Sequence, residues 1–300
     1  MAMSKKEQAQ GKSKMVPLPS QGIVPERDVY TTPALECRHL GIDFGGLHAV
    51  EDFNITVGKT EIAGLIGPNG AGKTTVFNLL TKVYQPTRGT ILIDGQDTAG
   101  LNPVKVNQLG VARTFQNIRL FSTLSVEDNV RAGLHNQVKC GVISAIFRLP
   151  RHWKCERESH ERALELLDVF GMADYANDIA GSLPYGAQRR LEIVRALATN
   201  PKLLLLDEPA AGMNPSETAE LMENIRAIRD RFQIAILLIE HDMDLVMNIC
   251  EGIAVLNYGK IIAKGTAEQI QSNPEVIEAY LGAGAQTDKP QKKSEGGENA

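Results

Sequence analysis

Gly67-Pro68-Asn69-Gly70-Ala71-Gly72-Lys73-Thr74 reproduces the pattern G-x-x-x-x-G-K-[ST] in full. The chemistry of that spacing is phosphate binding. Glycines let the backbone wrap close to an anion. Successive N–H groups at a helix start hold it. Lys73 supplies positive charge to the terminal phosphates, and Thr74 offers a hydroxyl to Mg2+. A glycine-rich turn with an incidental lysine would share the composition. It would not explain a loop set between an apolar strand and a helix, which is the context the motif requires.

A second group of residues closes apolar runs. Leu203 to Leu206 is followed by Asp207 and Glu208. A carboxylate at the end of a buried strand is costly unless it is paired or binds metal. A Mg2+ site resolves that cost: Asp207 is placed to hold the ion, and Glu208 to orient or deprotonate a water. His241 ends the run from Ile234 to Glu240. A lone histidine is ordinarily not functional, but this one shares the strand end of the other candidates and is assigned to a γ-phosphate. Gln116, in Arg113-Thr114-Phe115-Gln116-Asn117, carries no reading on its own. Leu183-Pro184-Tyr185-Gly186-Ala187-Gln188-Arg189-Arg190 opens a helix, with Pro184 in its first turn. That segment is either a plain helix start or an anion site at a helix N-terminus.

The elements that must position these groups alternate along the chain. Leu35 to Asp43 and Val50 to Val57 read as strands around a Gly45-Gly46 turn. Glu61 to Ile66 leads into the phosphate loop, Thr74 to Val83 is the following helix, and Thr90 to Ile93 is another strand. Leu203 to Leu206, Ile234 to Ile239 and Ile253 to Leu256 are continuously apolar, as strands of a parallel sheet covered on both faces are. Asn257-Tyr258-Gly259 turns into Lys260 to Lys264. Helical signals dominate from Phe115 to Asn200, including Ser125 with Asp128 as a capping-box-like start and Glu158 to Phe170. The mixed basic and apolar stretch 137–157 suggests a short surface or interface helix.

The chain has 300 residues, a net charge of -4 and 43% hydrophobic residues. That suits a globular protein and gives no basic surplus for nucleic acid. No apolar run approaches the ~20 residues that span a bilayer, and no apolar segment follows the N-terminal lysines as in a signal peptide. The four cysteines, Cys37, Cys140, Cys155 and Cys250, fit no zinc spacing and read as reduced thiols of a cytosolic protein. Residues 1–32 and 284–300 are polar tails, expected to be disordered, around a folded part of 33–283. The helical region at about 117–200 is expected as a subdomain.

Phosphate loop, glutamine loop, LPYGAQRR, LLLLDEP and EHD occur in one order that resembles the ABC transporter ATPase family over about residues 34–283. The resemblance implies an α/β fold: a P-loop NTPase core with a mostly parallel sheet, an N-terminal antiparallel β subdomain and a helical signature subdomain. It implies ATP and Mg2+ as ligands, with Gly67 to Thr75 around the phosphates and Phe44 and Val50 bracketing the adenine. Thr74, Gln116 and Asp207 carry over to the metal. Glu208, His241 and Gln116 carry over to catalysis, and Gln116 also to the loop that meets membrane subunits. Pro184, Tyr185, Gly186 and Ala187 carry over to the signature that reaches the nucleotide of a second ATPase subunit, in a head-to-tail homo- or heterodimer. Two positions depart from the family. Pro184 stands where a serine is usual, so phosphate contact there leans on backbone N–H groups. Asn214 stands where the dimer-contact aspartate is usual, so that contact loses a charge.

A narrower resemblance is to the first ATPase subunit of branched-chain amino-acid importers. It rests on FGGLHAVEDFN, IGPNGAGKTTVFNLLT, GVARTFQNIRLF, DEPAAGMNP, LLIEHDMDLVM and NPEVIEAYLG. It implies transmembrane permease partners, indirectly an external solute-binding protein, and a place on the cytoplasmic face of the membrane. The ATPase of lipopolysaccharide-type exporters and a soluble ABC ATPase not tied to transport are the alternatives. The cargo is not legible in an ATPase, which never touches it.

Overall fold

The computed structural model describes residues 32–135 and 150–287. Two sheets form its frame. In the first, β1 (Leu35–Phe44), β2 (Leu47–Val57), β4 (Arg88–Ile93) and the two-residue β5 (Gln96–Asp97) are antiparallel, in the order β2-β1-β4-β5. The second contains β3 (Ile62–Ile66), β6 (Val111–Arg113), β7 (Leu203–Asp207), β8 (Ala235–Ile239), β9 (Gly252–Asn257) and β10 (Lys260–Gly265). Its order is β10-β9-β3-β8-β7-β6, and every pairing is parallel except that of β10 with β9.

Continuous apolar runs become the parallel strands because both of their faces are covered. Ile62 and Ile66 of β3 belong to one core cluster, and Ala63 and Leu65 to the other. The second cluster lies between the two sheets and includes Phe53 of β2, Ile91 of β4 and Phe77. Phe77 belongs to helix α1 (Lys73–Leu80). The first cluster joins the opposite face of the parallel sheet to the helices. These include α3 (Val126–Leu134), α4 (Pro150–Asp168), α5 (Tyr185–Leu197) and α6 (Pro215–Phe232). A short α2 (Pro103–Gln108) precedes β6, and α7 (Met243–Ile249), α8 (Ala267–Gln271) and α9 (Pro274–Thr287) complete the described chain.

The fold class read from the sequence is the observed one, with corrections at the edges. β5, β6 and α2 were not expected, because two to six residues are too few to display a period. Ser125 caps α3 as read, its hydroxyl accepting from the Asp128 amide at 3.0 Å. Pro184 is not in the first turn of α5 but is its N-cap, with extended φ/ψ of −55° and 151°. Residues 150–157 open the 19-residue α4 rather than a separate short helix. The rest of the 137–157 stretch lies outside the described residues. α9 continues to Thr287, four residues beyond the expected end of the folded part. Residues 1–31 and 288–300, expected to be disordered tails, lie outside the described residues. Cys37 and Cys250 are free and buried, whereas Cys155 is disulfide-bonded, against the expectation of four reduced thiols.

Phe77 is fully buried where α1 meets the sheets. Truncation to alanine should cost about 3–5 kcal/mol, measured by chemical denaturation of the full chain. A loss below about 1 kcal/mol, the scale of an ordinary substitution, would mean that α1 is not keyed into the core by this ring.

Candidate functional site

The phosphate loop is shaped by what it packs against. Gly67 has φ 151°, and a Cβ there would lie 2.0 Å from the Leu256 carbonyl oxygen at the end of β9. Only glycine fits so close an approach. The loop is also held from the β9–β10 turn, where the Gly259 amide donates to Ala71 O at 2.8 Å. Lys73 begins α1 and folds back into the loop. Its Nζ donates to Gly67 O at 2.6 Å and to Pro68 O at 2.9 Å. An ammonium has three donors, so one is left for a ligand. Burial pushes the Lys73 pKa down, and the nearby Glu208 and Asp207 carboxylates oppose that shift.

A cavity of about 310 Å3 opens over this loop. Its walls are Asn69, Gly70, Ala71, Gly72, Lys73, Thr74 and Thr75, together with Gln116, Glu208 and His241. Gly67 and Pro68 stand behind it, as the carbonyls that hold Lys73. The three catalytic candidates are in direct contact. Gln116 Nε2 donates to Glu208 Oε2 at 2.8 Å, and His241 Nε2 lies 2.7 Å from Glu208 Oε1. An ionised carboxylate only accepts, so the His241 proton sits on Nε2. Glu208 adopts φ 49°, in the left-handed region, and its amide donates to Ile239 O at 2.9 Å. A non-glycine residue held there carries strain of about 1–3 kcal/mol, a feature that clusters at functional sites.

Asp207 stands one residue back, at the end of β7, and is buried. Its Oδ2 accepts from Arg113 Nη2 at 2.7 Å. The same guanidinium donates through Nη1 to Asn78 Oδ1 at 2.7 Å, and lies over the rings of Phe77 and Phe115. The groups proposed for Mg2+ are a hydroxyl, a carboxylate and an amide. They are oxygen donors suited to a hard cation, and Asp207 has one oxygen beyond the one that Arg113 holds. The residues therefore fit the ion.

The expected nucleotide residues do not all face the cavity. Phe44 is 44% exposed at the end of β1. Val50 is fully buried among the core residues of β2. Its side chain cannot bracket a base, because β2 turns it toward the opposite sheet. The neighbouring backbone does run along the loop: Ala49 O would lie 2.9 Å from a Cβ at Gly72.

Pro184, Tyr185, Gly186 and Ala187 open α5 and are not among the residues lining the phosphate cavity. A Cβ at Gly186 would meet Glu217 Oε1 at 2.8 Å, and one at Gly212 would meet the Tyr185 ring at 3.1 Å. Asn214 caps α6: its Oδ1 accepts from the Glu217 amide, while Glu217 Oε2 accepts from the Asn214 amide. Within this subunit, then, Asn214 has a capping role of its own.

Three residues of the site were not singled out from sequence. Arg113, three residues before Gln116, has no local signal of its own. Arg189 reaches from α5 to donate to Phe115 O at 2.7 Å and to Gln116 O. Glu240, buried at the end of β8, accepts from the amides of Ala210 at 2.7 Å and His241 at 3.0 Å. Its signal was present in the sequence, since an acid closing an apolar run is the argument already applied to Asp207.

Burial raises the Glu240 pKa above its ordinary 4.5, against the pull of three backbone donors. Between 4.5 and the folded value, the native state keeps a proton that the unfolded chain has lost. Stability must fall as pH rises through that window. Glu240→Gln removes the titration, so its stability should decline less between pH 4.5 and 7 in parallel denaturation series. Equal declines would place the folded pKa at its ordinary value.

The family described as "ABC transporter" matches residues 50–211, and that described as "Branched-chain amino acid ATP-binding cassette transporter" matches residues 260–286. The chain is 49% identical over 250 residues to the high-affinity branched-chain amino acid transport ATP-binding protein LivG of Escherichia coli. It is 47% identical over 250 residues to the corresponding protein BraF of Pseudomonas aeruginosa; each match covers 83% of this chain and 98% of the relative. The lipopolysaccharide export system ATP-binding protein LptB of Haemophilus influenzae is 34% identical over 248 residues, covering 83% of this chain and 97% of the relative. Among solved structures, the ADP conformation of MJ1267, an ATP-binding cassette of an ABC transporter, aligns with a TM-score of 0.74 at 29% identity. That alignment covers 84% of this chain and all of the other. The phosphate cavity, its strand-end acids and these matches agree: the chain belongs to the ABC transporter family of ATP-binding, ATP-hydrolysing subunits.

Proposed function

We propose that this subunit hydrolyses ATP to drive import of branched-chain amino acids through membrane partners. The observation that carries the reading is Glu208, held between Gln116 and His241 at the mouth of a phosphate-binding loop. Similarity to LivG and BraF, and the match at residues 260–286, support the cargo class.

In this reading the loop amides and Lys73 hold the β- and γ-phosphates, and Thr75 extends the same cradle. Phe44 stacks on the base. Thr74, Asp207 and Gln116 hold Mg2+, which when bound neutralises phosphate charge. Glu208 orients a water in line with the γ-phosphorus and takes its proton as the new P–O bond forms. The bond to the ADP oxygen breaks, and phosphate and ADP leave. Each Glu208 oxygen has one side-chain partner in this structure, which leaves a further lone pair on each to accept from the water. His241 then faces the γ-phosphate. Catalysis is positioning and electrostatics rather than covalent chemistry.

Two such subunits, identical or not, face each other head to tail. Pro184, Tyr185, Gly186 and Ala187 of one reach the nucleotide of the other, and Asn214 lies at the contact. Transmembrane permease subunits dock in a cavity of about 410 Å3 beside the Gln116 loop, lined by Phe115, Arg119, Phe121, Glu192 and Arg195 among others. Arg189 ties that loop to α5, so a push at the cavity reaches Gln116. Among the described residues no helix is long and apolar enough to cross a membrane. In this reading the permease partners hold the subunit at the cytoplasmic face, with a solute-binding protein acting from outside.

Glu208→Gln should leave ATP binding intact and slow turnover by about 100-fold or more; unchanged turnover would remove Glu208 from the base role. Phe121→Asp should keep the basal ATPase rate of the isolated subunit and abolish its stimulation by membranes carrying the permease. Stimulation equal to wild type would move the docking site elsewhere.

A further inference from the structure

Phe44 closes β1 immediately before the Gly45-Gly46 turn, so it sits at the tip of a hairpin. A tip residue needs support if its ring is to meet a ligand in one orientation. Part of that support is polar. Asp43 Oδ1 accepts from Arg88 Nη2 at 3.0 Å and lies 2.6 Å from His48 Nδ1. Those contacts fix the backbone but not the ring. Val50 cannot help, being buried beneath the hairpin.

The ring has a different neighbour. Phe44 and Tyr84 lie 5.3 Å apart at an interplanar angle of 74°, an edge-to-face pair. Both remain partly open, Phe44 at 44% and Tyr84 at 38% exposure. In an edge-to-face pair one ring offers its edge to the other's face. Whichever ring offers the edge, at least one face of Phe44 is left free.

Tyr84 is in turn positioned by the phosphate-loop helix. Its amide donates to Asn78 O at 3.0 Å, folding the chain back onto the last turn of α1. Asn78 is itself fixed through Oδ1 by Arg113. Thus α1 carries Lys73 and Thr74 at its start and the contact to Tyr84 near its end, a span of about 12 Å for its eight residues. One rigid element sets the phosphate end of the site and braces the aromatic platform.

We propose that Tyr84 is a positioning residue for the base of the bound nucleotide, holding the Phe44 ring edge-to-face so that its free face is presented at a fixed distance from the phosphate loop. This rests on the reading of Phe44 as the base-stacking residue. The competing explanation is that the pair merely pins the hairpin to α1 and has no part in binding.

The two are separated by ligands with and without a base. The affinities of ATP and of inorganic tripolyphosphate would be measured by titration calorimetry on the full chain, with Mg2+, for the wild type, Phe44→Ala, Tyr84→Ala, Tyr84→Leu and Tyr84→Phe. The proposal expects Tyr84→Ala and Tyr84→Leu to weaken ATP about fivefold and to leave tripolyphosphate unchanged. Tyr84→Phe, which keeps the ring, should bind both as the wild type does. Tyr84→Leu keeps apolar bulk at the position should the alanine variant fold poorly. If the Leu variant weakened both ligands equally, or neither, the positioning role would be overturned while the Phe44 reading stood. If Phe44→Ala left ATP binding unchanged, the base-stacking reading would fall and the role of Tyr84 with it.

Discussion

Three carboxylates converge where β7 and β8 end, and the site depends on how each is kept in a buried setting. Asp207 has a cation, Arg113, at 2.7 Å. Glu208 has two side-chain partners, Gln116 and His241. Glu240 has backbone amides as its partners among the described residues, and burial with the neighbouring Glu208 charge pushes its pKa up. A buried ion pair is a weak source of net stability, but removing one member leaves a charge unpaired at a cost of about 3–5 kcal/mol. Arg113 is thereby bound to its place. Because its other contacts are Asn78, Phe77 and Phe115, compensation of one acid also fastens β6 and the Gln116 loop to α1. The short β6 continues the tie: Thr114 N donates to Leu205 O at 2.9 Å, and the Asp207 amide to Thr114 Oγ1 at 3.3 Å.

Much of this was legible in the chain before any coordinates. The parallel strands announced themselves because burial on both faces demands uninterrupted apolar runs, as in Leu203 to Leu206. The phosphate loop was legible because its glycines answer a local steric demand. Arg113 and Arg189 were not legible. Their partners lie 94 residues away at Asp207 and 73 at Gln116, and nothing in their local sequence encodes a long-range ion pair or a bond to a distant carbonyl. Val50 was misplaced for a related reason. A position inherited from a resemblance fixes where the backbone runs, whereas the strand's alternation decides which way the side chain points.

The two departures from the family pattern take on a local meaning. Asn214 is a good N-cap, and an asparagine serves there as well as an aspartate does. The reciprocal bonds with Glu217 therefore survive the loss of charge. Pro184 offers no side-chain cap to α5, so the first amides of that helix are left without one, as an anion site requires. Glu217 Oε1 nevertheless stands close to Gly186, near enough that a larger residue there would have to displace it. The helix start proposed to meet a partner's nucleotide thus already faces one carboxylate within its own subunit.

That contact makes the α5 start and the loop before α6 one unit. Tyr185 rests on Gly212, Gly186 on Glu217, and Glu217 holds Asn214. From the same helix, one turn on, Arg189 holds the carbonyls of Phe115 and Gln116. α5 is therefore fastened at its first turns both to the segment that follows Asp207 and Glu208 and to the loop that supplies Gln116 to Glu208. A rotation of α5 cannot occur without disturbing at least one of these ties. Reorienting the helical region relative to the parallel sheet would then move Gln116 with respect to Glu208, because the strand-end anchor of Glu208, its amide on Ile239 O, belongs to the sheet and not to the helix. The hydrogen bond between them spans the two parts, so such a reorientation would change it directly.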